Sequence, residues 1–175
     1  STSRGLGDVY KRQVQKGIAA LKSGCDIVTD TQMAKAGINK TILASLGGEV
    51  HCFMSDPDIA QEAKTRGVTR AFVSMEKAAA LEKPCIFAIG NAPTALLSLE
   101  ALMEENKVAP ALIIGVPVGF VNVEASKELI IAAARAPYII ACGRKGGSNV
   151  AAAICNALIY SAAEMLDPSA RGWNG

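Results

Sequence analysis

The sequence holds one histidine, His51, in 175 residues. A Ser-His-Asp nucleophilic set could be assembled only through it. It lies inside the apolar run "GEVHCFM", where a lone histidine ordinarily packs. Metal-ligand spacing is missing too. The five cysteines, at 25, 52, 85, 142 and 155, are scattered, with no C-x-x-C pair and no Cys/His cluster. That argues against a structural zinc site and for reduced core thiols in a cytosolic protein. Nucleotide signatures are lacking: "GRKGGS" does not fit G-x-x-x-x-G-K-[ST], and no G-x-G-x-x-G follows a first strand. No apolar run reaches the ~20 residues of a membrane span, and there is no signal-peptide pattern. Charge of one sign is also scarce. The net charge is +2, and Arg4, Lys11 and Arg12 against Asp8 account for all of it. These four lie in "STSRGLGDVYKRQ", which matches nothing downstream and resembles a translated sequencing adapter. Residues 1–13 are therefore read as a foreign leader, with native residues upstream expected to be missing. The remainder is balanced and offers no basic surface to nucleic acid.

Half of the residues are apolar. Short unbroken apolar runs predict strands at 25–29, 49–54, 85–89, 111–116 and 138–142. Helical spacing is predicted at 14–23, 31–35, 37–46, 57–66, 70–81, 93–106, 123–134 and 148–165. Ser55-Asp56-Pro57 supplies a cap candidate followed by proline at the first helical position, and Thr69 caps the next helix. Gly24, Gly67 and Gly47-Gly48 end segments. Strands alternating with helices, and apolar throughout rather than every second residue, predict a parallel five-stranded sheet covered on both faces. One domain is expected over 14–167, with a frayed tail at 168–175 in which Trp173 serves surface packing.

The unusual residues gather where strands end: Thr29-Asp30-Thr31, Ser55-Asp56-Pro57, Gly90-Asn91-Ala92-Pro93-Thr94, "GVPVGF" at 115–120 and "GRKGGSN" at 143–149. In open parallel sheets ligands bind beyond the carboxyl ends of the strands. Helix starts present unpaired N–H groups and about half a positive charge. The "GNAP" turn and the "RKGG" segment before Ser148 therefore read as anion cradles. Each can also be an ordinary turn; Asp56 can be only a cap, and Asp30 either a cap or a site residue. Arg70, a cation at a helix start, is oddly placed for stability alone and reads as a ligand contact.

"GNAPTALL", "GVPVGFVNVEASKE" and "GRKGGSNVAAAICNAL" resemble three characteristic blocks of the precorrin-8X methylmutase family. "DTQMAKAGINKTILASLGGEVHCFMSDP" and "GVTRA" are similar as well, in the same order, so that the likeness covers about 14–165. The wording is closer to the cobalt-dependent branch. The resemblance implies a flavodoxin-like three-layer α/β/α fold. It implies an isomerase of cobalamin biosynthesis that moves a methyl group from C-11 to C-12 of a corrin precursor. It further implies a cytoplasmic homodimer with no separate cofactor, any cobalt arriving within the substrate, and no nucleic-acid or membrane partner. Substrate contacts carried over are Asp30, Met33, Arg70, Asn91, Ala92, Pro93, Thr94, Gly119, Phe120, Arg144, Lys145, Gly146, Gly147 and Ser148. The family's catalytic histidine lies upstream of the first helix, and His51 falls in a different motif. No catalytic residue is therefore assigned, and this chain is expected to lack turnover. Two rival readings are a non-catalytic corrinoid carrier and a phosphate- or nucleotide-binding domain of flavodoxin-like shape.

Overall fold

The computed structural model describes residues 2–141, 143 and 145–166. Among them, strands β1 (Asp26–Thr29), β2 (Val50–His51), β3 (Cys85–Ile89), β4 (Leu112–Gly115) and β5 (Tyr138–Ile140) form a single sheet. Its order is β2-β1-β3-β4-β5 and every neighbouring pair is parallel. The helices are α1 (Thr2–Lys22), α2 (Gln32–Gly37), α3 (Lys40–Ser45), α4 (Pro57–Arg66), α5 (Arg70–Ala79), α6 (Pro93–Glu104), α7 (Val123–Ala133) and α8 (Ser148–Leu166).

The strands are apolar without interruption because both sheet faces are covered. Along β3, Ile86 and Ala88 face a core built with α1, α2, α3 and α8. Cys85, Phe87 and Ile89 face a second core built with α5, α6 and α7. A satellite of Ile59, Ala63 and Val73 fastens α4 to α5. The result is the expected three-layer α/β/α arrangement around a five-stranded parallel sheet. Its strand order reverses direction between β1 and β3, the switch point at which such sheets place their ligands.

Local signals set most boundaries. The Thr31 hydroxyl caps α2 by accepting from the Ala34 N–H (3.0 Å), and Thr69 caps α5 through the Phe72 N–H (3.1 Å). Gly67 closes α4 in the left-handed region at φ 66°, where a side chain would be strained.

Several expectations are corrected. The strand expected at 49–54 keeps only Val50–His51. It is an edge strand paired with β1 alone, and beyond it Phe53 and Met54 turn to pack against the second core. The helix expected from residue 37 begins at Lys40, because the Asn39 side chain takes the cap by accepting from the Ile42 N–H (3.0 Å). The Asp56 carboxylate makes no cap bond and instead pairs with Lys77 Nζ at 2.8 Å. The last strand ends at Ile140 rather than 142. Cys142 and the tail with Trp173 lie outside the described residues.

Candidate functional site

The strand exits are joined to one another by backbone and hydroxyl bonds. At the switch point Asp30, only 2% exposed, projects from the end of β1 into the turn after β3. Its Oδ1 accepts from the Gly90 N–H (2.8 Å), and its Oδ2 accepts from the N–H groups of Asn91 (3.0 Å) and Ala92 (2.6 Å). Burial pushes the Asp30 carboxyl above its ordinary value, and the three N–H bonds oppose that shift. The turn does cradle an anion, as its N–H groups suggested, but that anion is the chain's own. In this structure those three donors are not open to a ligand, which corrects the reading of "GNAP" as a vacant cradle. Asp30 is likewise turned inward.

The start of α8 packs directly on this turn. A Cβ at Gly90 would stand 2.9 Å from Ser148 Cα and 3.0 Å from the Gly147 carbonyl oxygen. Thr31 Oγ1 and Ser148 Oγ share a hydrogen bond of 2.8 Å. The Gly147 N–H donates to the Val116 carbonyl (2.9 Å), and the Val118 N–H reaches the Asn91 carbonyl (3.4 Å). Gly146 presses so closely on Val116 that a Cβ would stand 2.1 Å from its carbonyl oxygen. The exits of β1, β3, β4 and β5 thus form one continuous edge.

That edge combines polar backbone with exposed apolar side chains. Phe120 is 86% and Val121 76% exposed on the loop after β4, beside the exposed Gly119, and Met33 is 65% exposed on α2. Pro93 and Thr94 open α6, half-buried. Lys145 is exposed in the segment before α8. Arg70 is exposed at the first position of α5, and no side-chain bond ties it to the joined exits among the described residues. Arg144 lies outside them.

Sequence reasoning missed Lys127. It is 2% exposed, and its ammonium donates to the carbonyls of Gly143 (2.8 Å) and Lys145 (3.0 Å). A signal was there to read: Val123, Ser126, Lys127 and Ile130 are the buried residues of α7, at i, i+3, i+4, i+7 spacing. A lysine on such a stripe is out of place unless something receives its charge.

The remaining reactive groups stand elsewhere or are inert. His51 Nε2 meets Asp26 Oδ2 at 3.0 Å, and Asp26 opens β1, roughly 13 Å of strand from its exit at ~3.3 Å per residue. Asp26 Oδ1 is taken by Lys83 Nζ (3.0 Å) and the Glu49 N–H (3.0 Å). Burial would raise the Asp26 carboxyl, but the bonds from His51 and Lys83 outweigh it and hold the group below its ordinary value. Asp26, Glu49 and His51 have the composition of a metal-ligand set. The Lys83 cation and two further donors already satisfy Asp26, so the cluster reads as a staple between β1, β2 and the approach to β3. A cavity of about 280 Å³ opens near Lys83, Phe87 and Lys107 and includes none of the strand-exit residues. Burial pushes the thiols of Cys25 and Cys155 up to about 12 and that of Cys85 to about 11, which removes them as nucleophiles.

The fold and the sequence are similar to those of known proteins. A family model for precorrin-8X methylmutase matches residues 6–161. The cobalt-precorrin-8 methylmutase of Leptospira interrogans is 44% identical over 163 residues, 89% of this chain and 74% of that protein. The enzyme of the same name from Salmonella typhimurium is 49% identical over 142 residues, 81% of this chain and 65% of that protein. A crystal structure of precorrin-8x methyl mutase from Thermus thermophilus superposes with a TM-score of 0.77 at 36% identity, covering 87% of this chain and 74% of the other. The chain therefore spans between about two thirds and three quarters of these proteins' lengths. With the same fold, and a family match that runs through every strand exit, this chain belongs to the precorrin-8X methylmutase family.

Proposed function

We propose that the strand-exit edge is a corrinoid-binding surface, serving the isomerisation that moves a methyl group from C-11 to C-12 of cobalt-precorrin-8. One observation carries the reading: exposed apolar side chains after β1 (Met33) and after β4 (Phe120 and Val121) stand at strand exits on the same side of the sheet as the α8 start and the exposed Lys145. A corrin precursor is a flat apolar ring bearing acetate and propionate arms. Apolar side chains suit its face, while helix N–H groups and cations suit its carboxylates. The cobalt form is favoured by the names of the two curated relatives.

In the migration one carbon–carbon bond to the methyl group breaks at C-11 as another forms at C-12. No atom is gained or lost and no electrons leave the substrate, so no added cofactor is needed. Any cobalt belongs to the macrocycle. What this chain supplies is orientation: carboxylates fixed at the edge hold the ring so that the two carbons stay in register. Arg70, Pro93, Thr94, Gly119 and Arg144 are proposed contacts on the family likeness. A homodimer in the cytoplasm is inferred on the same footing.

The only histidine is engaged with Asp26 at the far end of β1. That observation favours a second reading, a corrinoid-binding chain that does not itself place a proton on the ring. Proton transfer by a positioned group typically contributes 10²–10⁴-fold. Spectral titration with hydrogenobyrinic acid, run beside a methyl-position assay on precorrin-8, separates the readings. Binding with turnover supports the isomerase, and binding with turnover lowered by that factor supports the second reading. Absence of corrinoid binding sinks both. A nucleotide ligand at the switch point is disfavoured by the carboxylate of Asp30, which already fills the turn.

A further inference from the structure

We propose that Lys127 is a positioning residue of the strand-exit edge. Its buried ammonium holds the β5–α8 segment in the shape that offers Lys145, Gly146, Gly147 and Ser148 to a ligand carboxylate. The second arm of the test below rests on the corrinoid reading; the first does not.

Gly143, Gly146 and Gly147 all have positive φ (73°, 159° and 118°), and glycines bring no side chain to anchor them. Carbonyls at Gly143 and Lys145 turn inward toward α7, where each needs a donor. Lys127 provides both bonds from one ammonium, at 2.8 and 3.0 Å. Bonds of this kind, with one partner charged, are stronger than those between neutral groups.

The placement is costly, which is what makes it informative. Val123, Ser126 and Ile130 share the buried face of α7 with Lys127. A leucine or methionine would satisfy that face without desolvating a charge.

The test uses the full chain with Lys127→Met, Lys127→Gln and Lys127→Arg. The first arm is amide hydrogen exchange at the Gly147 N–H, which reports its bond to Val116. The Met and Gln variants are expected to exchange there at least tenfold faster, with Ile86–Ile89 amides of β3 unchanged and Lys127→Arg recovering most of the protection. Unchanged protection of Gly147 overturns the proposal. So does equal acceleration in β3, which would mark a general loss of stability. Should Lys127→Met not fold, Lys127→Gln decides by the same readings.

The second arm is titration with hydrogenobyrinic acid. The Met and Gln variants are expected to bind at least tenfold more weakly, with partial rescue by Lys127→Arg. Affinity unchanged in a chain whose Gly147 exchange has accelerated overturns the link between this residue and ligand. If the unsubstituted chain does not bind the corrinoid, the functional reading falls, while the exchange arm still decides whether Lys127 holds the segment.

Discussion

Two buried aspartates show how one side-chain type takes opposite tasks at opposite ends of a strand. Asp30 closes the switch-point turn, and Asp26 staples the strand's amino end to His51 and Lys83. Replacing either by asparagine leaves donors facing an amide that cannot accept them all, a loss of about 1–3 kcal/mol at pH 7. Their pH dependences run in opposite directions. The Asp26 carboxyl is held low in the folded chain, so its stabilisation is present above about pH 4 and fades as the pH falls further. The Asp30 carboxyl is raised, so the folded state takes up its proton first, and stability from this group increases as the pH falls toward about 4. Urea denaturation midpoints at pH 7, 5 and 3.5 check both. The advantage of the unsubstituted chain over Asp26→Asn should shrink toward pH 3.5, while its advantage over Asp30→Asn should grow as the pH falls from 7 toward about 4. The same trend in both variants would contradict the assignment. Neither role was legible in the sequence. "TDT" after a strand announces a cap or a site, but the partners of Asp30 lie 60 to 62 residues away, and only the strand order brings them together.

Elements were legible where a local residue enforces the boundary and obscure where a distant contact does. Thr69 and Gly67 delimit α5 and α4 through their own chemistry, so the expected starts and stops hold. β2 was overextended because an apolar run says nothing about how many residues find a ladder partner, and only two do. The positions of the exits were legible, since a glycine-rich segment between a strand and a helix identifies itself. What each exit does was only half legible, because whether its N–H groups are free depends on side chains from another strand. Two glycines sharpen the distinction. A Cβ at Gly67 would meet nothing within 4 Å, whereas one at Gly146 would stand 2.1 Å from the Val116 carbonyl oxygen. Gly67→Ala should cost about 1 kcal/mol through its left-handed φ alone and leave corrinoid affinity unchanged. Gly146→Ala forces the backbone of the β5–α8 segment off Val116 and should cost about 1–3 kcal/mol by overpacking, with a clear loss of affinity. Thermal melts paired with corrinoid titration separate the two, and equal affinities would remove Gly146 from the binding edge.

At the scale of the molecule, the sheet makes the two cores one cooperative unit. Ile86 and Ala88 belong to one core and Cys85, Phe87 and Ile89 to the other, on the same five-residue strand. Neither core can open without breaking the ladder that supports its neighbour. The buried cysteines report on this directly, since Cys155 lies in the first core and Cys85 in the second. Burial keeps both thiols protonated at neutral pH, so labelling requires opening. Phe87→Ala removes a 1% exposed ring from the second core alone and should cost about 3–5 kcal/mol. If the layers unfold together, the labelling of Cys155 across the sheet must accelerate by the same factor as that of Cys85. That factor is about two to three and a half powers of ten for a loss of this size, at about 1.4 kcal/mol per power of ten. Site-resolved mass spectrometry of thiol labelling measures both rates in one sample. A Cys155 rate that stayed near its original value while Cys85 accelerated would show that the layers open separately. The strand-exit edge, which draws residues from α2 and α8 on one face and from α6 and α7 on the other, would then lack the common support on which its geometry depends.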